Sequence, residues 1–455
     1  MTFAHDILFI TVFGAKETNM RGIRSVLLLF LACVFAAVTA RAEDSWPEFR
    51  GPFGNGHVVA DGKKVGLPTA WSESENVAWK TEIPPYGWST PVVLGNNIWL
   101  TTATEDGHDF FAICVAADTG RIKFNEKLFH HDNPEPLNNA VNCYASPSAA
   151  IEPGRVYVHF GSYGTACLDS ETGKTIWKRE DLPCRHYRGP GSSPILYKDF
   201  LVLTFDGVDQ QYLTALDKKT GDTVWRTDRS TKYTDYDAQG NILREGDARK
   251  SYSTPIVVDV KGTAQIISPG TESAFAYEAG TGKEIWSVRY SGYTAAPMPV
   301  YGNGIAYILS GRGKNSLNAV KVDGTGDVTE SGRVWKYEGE GLPTEPSPIL
   351  IDGLLYLVSN NGQVTCLDAK SGEVVWTERI GGNFVASPIY ADGMIYCSST
   401  QGKTTVLKAG RKFEQVAVNA LDEGFMASPA VTGKALILRT KTHLYRIEAG
   451  APKTN

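Results

Sequence analysis

CLDSETGKTIW, residues 167–177, is the first of four close copies of one pattern, the others being ALDKKTGDTVW (215–225), AYEAGTGKEIW (276–286) and CLDAKSGEVVW (366–376). In every copy the turn glycine precedes the tryptophan by four residues. CVAADTG (114–120) matches as well, with Phe124 in the place of the tryptophan. Two apolar stretches joined by a glycine turn predict a pair of antiparallel strands. Recurrence of this unit along the chain indicates a repeat architecture.

Proline marks the beginning of each repeat. A Ser, Ala or Thr followed by Pro and a short apolar run occurs eight times, at intervals of 40 to 61 residues, which is typical of propellers. A four-stranded unit cannot bury both of its faces alone and must stack on its neighbours. The sequence therefore predicts an all-β fold, an eight-bladed β-propeller of four-stranded antiparallel blades. The prolines are Pro91, Pro147, Pro194, Pro255, Pro297, Pro348, Pro388 and Pro429.

The last blade is predicted to be closed by an N-terminal strand. The eighth unit has only three strands, because it runs out of chain after HLYRIE (443–448). ENVAWKTEI (75–83) has the form of a fourth strand, with Trp79 at the usual place. We expect it to close the ring, whereas the residues before it should lie outside the ring and be removable at little cost. The predicted boundaries are 43–75 for an N-terminal extension, 76–449 for the propeller and 450–455 for a tail.

The tryptophans of the repeats are predicted to be structural. They fall on the outermost strand of each blade, where a large ring can cover the contact between adjacent sheets and protect an exposed edge. This set is Trp177, Trp225, Trp286, Trp335 and Trp376.

The repeat resembles that of the pyrroloquinoline-quinone-like (PQQ-like) family, whose unit A-x-D-x-x-T-G-x-x-x-W builds eight-bladed propellers. The resemblance covers nearly all of the chain after residue 42. With WPEFRGP at 46–52, the chain looks most like short exported propeller proteins that have a WPxFRGP opening. It is also similar in architecture to the lipoprotein scaffold of the outer-membrane barrel assembly machinery. Because this ring serves both redox enzymes and scaffolds, the resemblance implies the fold and leaves the function open.

The resemblance also states what a quinoprotein alcohol dehydrogenase would need. Those enzymes hold PQQ in the central funnel between a Trp and a disulfide of two adjacent cysteines, with calcium and an Asp base beside it. Here no two cysteines are adjacent and no CxxCH haem motif occurs, although Asp206, Asp209 and Glu345 are acidic candidates for a metal or a base. We therefore expect no cofactor, and PQQ with calcium belongs only to the alternative.

Residues 1–42 are predicted to be an export signal. A basic start and the apolar run 25–39 lead to Ala40-Arg41-Ala42, after which we expect cleavage. The first 19 residues precede a second methionine and indicate a start codon assigned too far upstream. The predicted location is the periplasm or the exterior of the cell. Membrane attachment is expected only through an uncleaved signal.

Charge excludes one class of partner. With 45 Lys and Arg against 50 Asp and Glu the formal net charge is −5, and no basic stripe is present. Nucleic acid is therefore not an expected partner. A protein partner, or a polar or anionic small molecule, fits better, and we expect a monomer.

Loop lengths indicate the binding surface. In a propeller the connections from a fourth strand to the next first strand share one face with those between second and third strands. These loops are the longest and most polar in the chain, so we name this side the long-loop face and the opposite side the short-turn face. A ligand or partner is expected on the long-loop face of blades one to four. The loops are 104–110, 125–143, 178–191, 205–211 and 226–252.

A mixed-charge cluster is the candidate binding site on this face. Arg185, His186 and Arg188 lie close in sequence to Asp206 and Asp209 of the next blade. Charges of both signs would suit a polar or anionic small molecule or the edge of a peptide. An interblade salt-bridge network is the alternative interpretation.

The cysteines divide into two groups. Cys114, Cys167 and Cys366 occupy one equivalent repeat position where alanine stands elsewhere, so they are expected to be buried thiols. Cys143 and Cys184 lie on loops that enter adjacent first strands on one face of an exported protein. A disulfide between these two is therefore predicted.

No metal site and no catalytic set are predicted. His130-His131-Asp132 could ligate a metal only with help from His159 and His186, and a polar loop is the favoured interpretation. The motifs GxSxG and HExxH and the P-loop are absent. The sequence thus predicts an exported binding or scaffold module, acting on a protein or a polar small ligand. The alternative is a PQQ-dependent, alcohol dehydrogenase-like oxidoreductase.

Overall fold

The computed structural model describes residues 45–59, 63–137, 142–233, 239, 241 and 247–451; the predicted export signal lies outside these residues. Eight four-stranded antiparallel sheets follow one another along the chain, and the prediction of an eight-bladed propeller is confirmed. The described part of the chain has one short 3-10 helix, Asp247–Arg249. No helix in that part is long and apolar enough to cross a membrane.

The first four blades contain the following strands, in chain order from the axis outward. Blade 1 is Val92–Leu94, Asn97–Ala103, Asp109–Ala116 and Ile122–His130. Blade 2 is Ala150–Glu152, Arg155–His159, Thr165–Leu168 and Thr175–Arg179. Blade 3 is Ile195–Tyr197, Phe200–Asp206, Gln211–Asp217 and Thr223–Asp228. Blade 4 is Ile256–Val260, Thr263–Pro269, Ser273–Glu278 and Glu284–Arg289, with Gly326–Asp327 added at its outer edge.

The remaining blades repeat this arrangement. Blade 5 is Val300–Gly302, Ile305–Leu309, Leu317–Lys321 and Arg333–Tyr337. Blade 6 is Ile349–Ile351, Leu354–Val358, Gln363–Asp368 and Val374–Arg379. Blade 7 is Ile389–Ala391, Met394–Ser398, Lys403–Lys408 and Gln415–Ala420. Blade 8 is Ala430–Thr432, Ala435–Arg439, His443–Ile447 and Val77–Glu82. A two-stranded ribbon, Gly292–Tyr293 with Arg312–Gly313, lies outside the blades.

The turn between the third and fourth strands explains why the same residues recur in the repeat. In blade 3 the N–H groups of Lys219 and Thr220 donate to Asp217 Oδ1 at 2.7 and 3.0 Å, and the N–H of Gly221 donates to the Asp217 carbonyl at 2.9 Å. Gly221 has a φ of +79°, which L side chains rarely adopt. The Asp-x-x-Thr-Gly pattern therefore encodes a turn that bonds to itself.

The repeat tryptophans join each blade to the next one, Trp225 by packing against Gly282 and the others also by a hydrogen bond. The Nε1 of Trp177 in blade 2 donates to the carbonyl of Lys218 in the turn of blade 3 at 3.0 Å. A Cβ on Gly221 would lie 2.8 Å from the same indole, so only glycine allows the ring to approach. Equivalent bonds run from Trp79 to Ala117, Trp286 to Val322, Trp335 to Ala369 and Trp376 to Gly410.

The N-terminal strand closes the ring as predicted. Val77–Glu82 pairs antiparallel with His443–Ile447, and Val77 lies opposite Ile447. Blade 8 is therefore built from both ends of the described chain.

Two of the repeat boundaries are corrected. The first strands of blades 2 and 5 begin at Ala150 and Val300, each three residues after the proline that we took as the marker. In these blades Ala149 and Pro299 occupy the position directly before the strand. Blade 5 thus has a second proline directly before its strand, and blade 2 has none there. In both blades the first proline lies two residues earlier relative to the strand than in the other repeats.

Residues 45–58, named here the channel plug, contradict the expectation that the extension lies outside the ring. Ser45–Trp46 pairs with Leu94 and Val93 in the first strand of blade 1. The carbonyl of Pro47 accepts the N–H of Ile151 in blade 2 at 2.8 Å. At the far end, the N–H of Val58 donates to Tyr390 in blade 7 at 3.1 Å. The plug therefore crosses the axis and bonds to the innermost strands, where unpaired backbone groups are available.

Residues 63–76, named here the rim segment, lie against blades 7 and 8. Blade 7 has Ala417 at the position where six blades have tryptophan and blade 1 has Phe124, since Ala417 pairs with Val406 just as Trp376 pairs with Cys366. Trp71 is buried beside this gap, 6.5 Å from the ring of Tyr396. The rim segment thus supplies an indole that the repeat itself lacks.

Candidate functional site

The plug divides the central channel. Its bonds go to Val93, Ile151 and Tyr390, which lie toward the short-turn end of the first strands. A cavity of about 160 Å³ remains on the long-loop side, lined by residues from all eight blades and by Phe49 of the plug. The channel is therefore a funnel that is closed at the short-turn face and opens on the long-loop face.

Seven hydroxyl side chains form a belt around this funnel. They occupy the position two residues before each first strand, and Met298 holds that position in blade 5. The N–H of Thr90 donates to Ser148 Oγ at 2.9 Å, and six equivalent bonds of 2.9 to 3.2 Å link successive blades. The side chains are Thr90, Ser148, Ser193, Thr254, Ser347, Ser387 and Ser428, which are 1% to 5% exposed.

Most belt hydroxyls retain hydrogen-bonding capacity. A hydroxyl offers one hydrogen and two lone pairs, and the neighbouring N–H uses only one lone pair. Ser387 donates its hydrogen to Ser347 at 3.0 Å. Within the described residues, the hydroxyl hydrogens of five cavity-lining members have no acceptor. These five are Thr90, Ser148, Ser193, Thr254 and Ser428.

The mouth of the funnel carries charged and aromatic side chains. Arg188 and Arg312 are in the lining together with Trp88 and Tyr252. The one carboxylate in the described lining is Glu345, whose Oε1 pairs with Arg312 Nη2 at 2.6 Å. Its Oε2 accepts the hydroxyl of Thr344 at 2.6 Å and the side-chain amide of Asn360. Both oxygens of Glu345 are thus already engaged.

A second, more open groove adjoins this mouth. It has a volume of about 900 Å³ and shares Arg312, Glu345 and Val385 with the funnel. Loops of blades 5 to 7 form its walls, including Lys314 and Asn383. The concave part of the long-loop face therefore extends beyond blades 1 to 4.

Two ionisable groups hold the plug, the partly buried Glu48 and the buried Arg50. Desolvation raises the pKa of Glu48 to about 7, and the N–H of Leu196 donates to its carboxyl group at 3.5 Å. Desolvation also lowers the pKa of Arg50 to about 9. Arg50 donates to carbonyls of three residues, including Pro348 of blade 6 at 2.8 Å and Pro388 of blade 7. These bonds join the plug to three blades.

The predicted mixed-charge cluster does not converge on one point. Arg185 is 67% exposed and pairs with Glu135 at 3.2 Å, while its backbone N–H donates to Asp209 at 2.8 Å. Asp206 instead forms a buried bidentate pair with Arg229, at 2.6 and 2.7 Å. Only Arg188 of the predicted residues reaches the funnel.

Asp206 and His186 have structural contacts. Arg229, the partner of Asp206, also donates to the hydroxyl of Ser268 in blade 4 at 2.8 Å. The pair therefore connects blades 3 and 4, as the salt-bridge interpretation expects. His186 accepts the N–H of Ser162 at 2.9 Å, and burial together with the charge of Lys250 lowers the pKa of His186 well below its usual value.

The predicted disulfide is not formed, because Cys143 and Cys184 are free thiols in different surroundings. The thiol of Cys143 lies 3.3 Å from the hydroxyl of Ser146. Cys184 packs in the apolar contact between blades 2 and 3, beside Phe205. Burial raises the pKa of both thiols. Loop position alone did not reveal that the two thiols lie in different surroundings.

The histidine residues of 130–132 point to separate partners. His130 Nδ1 lies 2.5 Å from Asp109, and His131 Nε2 lies 2.8 Å from the carbonyl of Tyr163. His159 is buried, and desolvation lowers its pKa to about 3. Across the described ranges, no group of three or more His, Cys, Asp or Glu side chains could hold a metal ion.

The described funnel residues do not fit PQQ and calcium. Calcium takes six to eight oxygen ligands, usually with several carboxylates, whereas Glu345 is engaged on both oxygens. No cysteine lies in the lining, and Phe49 of the plug occupies the floor. The cavity is also smaller than the roughly 300–1,000 Å³ of ordinary small-molecule sites. We therefore derive no redox step for this funnel.

Sequence reasoning missed the belt and the plug. The signal for the belt was the Ser or Thr that directly precedes the proline in six of the repeats, whereas in blade 2 the belt residue Ser148 follows Pro147. The signal for the plug was the aromatic pair Trp46 and Phe49 beside the charged residues Glu48 and Arg50, a pattern that does not recur in the repeats.

Solved structures of other proteins have the same propeller fold. The solved structure of BamB from Moraxella catarrhalis superposes with a TM-score of 0.54 at 14% identity, covering 83% of this chain and all of that one. The quinohemoprotein alcohol dehydrogenase of Comamonas testosteroni gives a TM-score of 0.65 at 12% identity, covering 92% and 83%. At these identities the likeness establishes the fold alone.

Sequence comparison identifies the family of the chain. Subunit 1 of the cytochrome c-dependent methanol dehydrogenase of Methylorubrum extorquens is 38% identical over 64 residues, which is 13% of this chain and only 10% of that protein. The family model described as outer membrane protein assembly factor BamB matches residues 39–183 and 209–450. Because that match covers most of the chain, the protein belongs to the BamB family of PQQ-like propellers.

Proposed function

We propose that this protein is an exported binding or scaffold module, periplasmic or secreted, which engages a protein partner through the long-loop face. The observation that carries the proposal is the funnel, closed by the plug at one face and open at the other. A channel closed in this way offers one concave surface of complementary polar groups, as binding sites commonly do. The member that gives the family its name is an outer membrane protein assembly factor.

The chemistry of the face supports binding more than catalysis. Buried acids such as Asp206 are engaged by arginine, and the histidines near the funnel are held by backbone groups. An acid–base pair or an activated nucleophile requires side chains within hydrogen-bond reach of each other and of a substrate position. The polar lining and the adjoining groove instead present hydroxyl, amide and guanidinium groups to an incoming partner.

The test places photo-crosslinking residues on the two faces of the intact exported protein. Lys314, in the groove, and Arg185 represent the long-loop face, while Lys261 is a matched exposed cation on the short-turn face. We expect crosslinks to a defined partner from positions 314 and 185 and none from 261. Equal crosslinking from both faces would refute the proposal.

The alternative function has its own readout. A PQQ-dependent dehydrogenase would reduce an artificial dye when supplied with PQQ, calcium and alcohols. We expect no reduction above the rate of the free quinone. Stoichiometric quinone binding with dye reduction would replace the scaffold proposal by the oxidoreductase one.

A further inference from the structure

We infer that the belt hydroxyls form an oxyanion-binding pocket at the base of the funnel, which takes a carboxylate or a phosphate group. The inference deepens the proposed function, because it names the chemistry recognised at the same funnel. Its starting point is the five lining hydroxyls whose hydrogens have no acceptor in the described part of the chain.

The orientation of these hydroxyls is fixed from outside the funnel. In each case a backbone N–H of the preceding blade occupies one lone pair, as that of Ser148 does on Ser193 Oγ at 2.9 Å. The oxygen is thereby held in place, and its hydrogen remains available for a group on the axis. Because four blades in succession contribute Thr90, Ser148, Ser193 and Thr254, the free donors are contiguous on one side of the funnel.

Because these donors are buried, leaving them without an acceptor is unfavourable. The five side chains are 2% to 5% exposed, and a buried donor left unsatisfied is energetically unfavourable. A ligand that brings several lone pairs on one small group satisfies more than one of these hydrogens at once. Carboxylate and phosphate groups have this property, and their hydrogen bonds are stronger than those of neutral acceptors.

Charge in the lining favours an anion over a cation. The described lining contains the guanidinium groups of Arg188 and Arg312 against the single carboxylate of Glu345. A cation would have to displace the partners of Glu345, since both of its oxygens are engaged. An anion finds neutral donors at the base and positive charge at the mouth.

The size of the cavity indicates how much of the ligand is held there. About 160 Å³ accommodates a headgroup with some water, but less than a typical drug-sized ligand. The oxyanion is therefore either a free small anion or the terminal group of a longer molecule that leaves through the mouth. A carboxyl terminus of a partner chain and a free phosphate present the same chemistry to the belt.

The experiment titrates the full-length exported protein with inorganic phosphate and with acetate, at constant ionic strength set by chloride, and measures the heat of binding. Ser193→Ala removes one free donor, and we expect the affinity for phosphate to fall about tenfold, the effect of losing one hydrogen bond to a charged group. Thr254→Val, a similar change in another blade, gives a second test should Ser193→Ala fail to fold.

Thr214→Val is the matched control for Thr254→Val. The hydroxyl of Thr214 is equally buried, but it donates to the carbonyl of Trp225 at 2.8 Å and does not line the cavity. Its substitution should leave the affinity within about twofold. Equal loss in Thr214→Val and Thr254→Val would overturn the inference, as would the absence of any anion binding to the unaltered protein.

A further arm distinguishes the two sources of the group. A short peptide with a free carboxyl terminus is compared with the same peptide carrying a terminal amide. Binding of the carboxylate form alone supports a partner terminus, whereas binding of phosphate without either peptide supports a free anion. Failure of every anion to bind, together with crosslinks confined to the long-loop face, would refute the oxyanion pocket and leave the proposed function standing.

Discussion

Single residues fix how the plug is held. Glu48 and Arg50 lie two positions apart, and both are withdrawn from water inside the ring. Arg50 compensates by donating to carbonyl groups of two blades and of the plug itself. Glu48 has one long hydrogen bond from Leu196, so its ionised form is poorly stabilised.

Glu48→Gln should change how stability depends on pH. The pKa of Glu48 is raised from 4.5 in the unfolded chain to about 7 in the fold, so the fold favours the protonated form. The associated stability is fully present below pH 4.5 and is lost as pH rises to about 7. The loss amounts to about 3 kcal/mol. Urea unfolding from pH 4 to 8 should show this decline in the unaltered protein and its absence in Glu48→Gln.

The control for this prediction is Glu330→Gln, a change at an exposed carboxylate on the outer side of blade 5. It should follow the unaltered protein at every pH. Parallel curves for Glu48→Gln and the unaltered protein would show that Glu48 ionises in the fold as freely as in water.

The roles of residues could be predicted from the sequence where both partners belong to the repeat pattern, in the same blade or in adjacent ones. Asp217, Gly221 and Trp177 recur at fixed spacing, so their roles in the turn and at the blade contact could be predicted. The charged cluster could not, because nearness in sequence did not show that Asp206 pairs with Arg229 and not with Arg185. Removal of Arg185 therefore leaves the buried carboxylate with its partner.

At the scale of elements, the N-terminal segments complete what the repeats leave unfinished. The plug bonds to the inner strands, and the rim segment lies on the outer strand of blade 7 through Asn419, whose side chain accepts the N–H of Trp71 at 2.9 Å. Neither segment has a repeat period, and each is held in part by residues more than 300 positions away in the sequence. For this reason the sequence predicted the blades and the closing strand but misplaced the extension.

Trp71→Ala should destabilise the fold although Trp71 lies outside the repeats. Its indole is buried against blades 7 and 8, and removing a buried tryptophan side chain costs about 3–5 kcal/mol. Phe53→Ala is the matched control, because Phe53 is an aromatic residue of the plug that is 49% exposed. Its loss should change the free energy of unfolding by about 0.5 kcal/mol or less. Chemical denaturation measures both, and equal effects would contradict the assigned role of Trp71.

On the scale of the whole molecule, stability depends on a closed ring. Every blade packs against two neighbours, and the apolar contact between blades 8 and 1 includes Val77 and Trp79 of the closing strand. A ring opened at this point exposes a strand edge in blade 8 and an apolar surface beside it.

Deletion of residues 76–82 should therefore lower the melting temperature of the entire propeller, by about 10 °C or more. Blades coupled to their neighbours lose stability together, so calorimetry should show one shifted transition and not a separate early one. Adding a synthetic peptide of residues 75–83 should restore part of the melting temperature, because the vacant edge can pair with it. An unchanged melting temperature after the deletion would contradict the pairing of Val77–Glu82 with His443–Ile447.

The pairing within blade 8 also determines the order in which parts of the chain can fold during synthesis. The closing strand is synthesised more than 360 residues before the strand that receives it, so it remains without its partner while seven blades are made. Contacts of such long sequence separation form slowly, and unpaired strands invite aggregation and proteolysis meanwhile. The plug must also enter the channel before the ring closes around it, or thread in afterwards from the short-turn face. Until its last three strands are made, this protein is therefore an open chain that cellular chaperones and proteases can encounter.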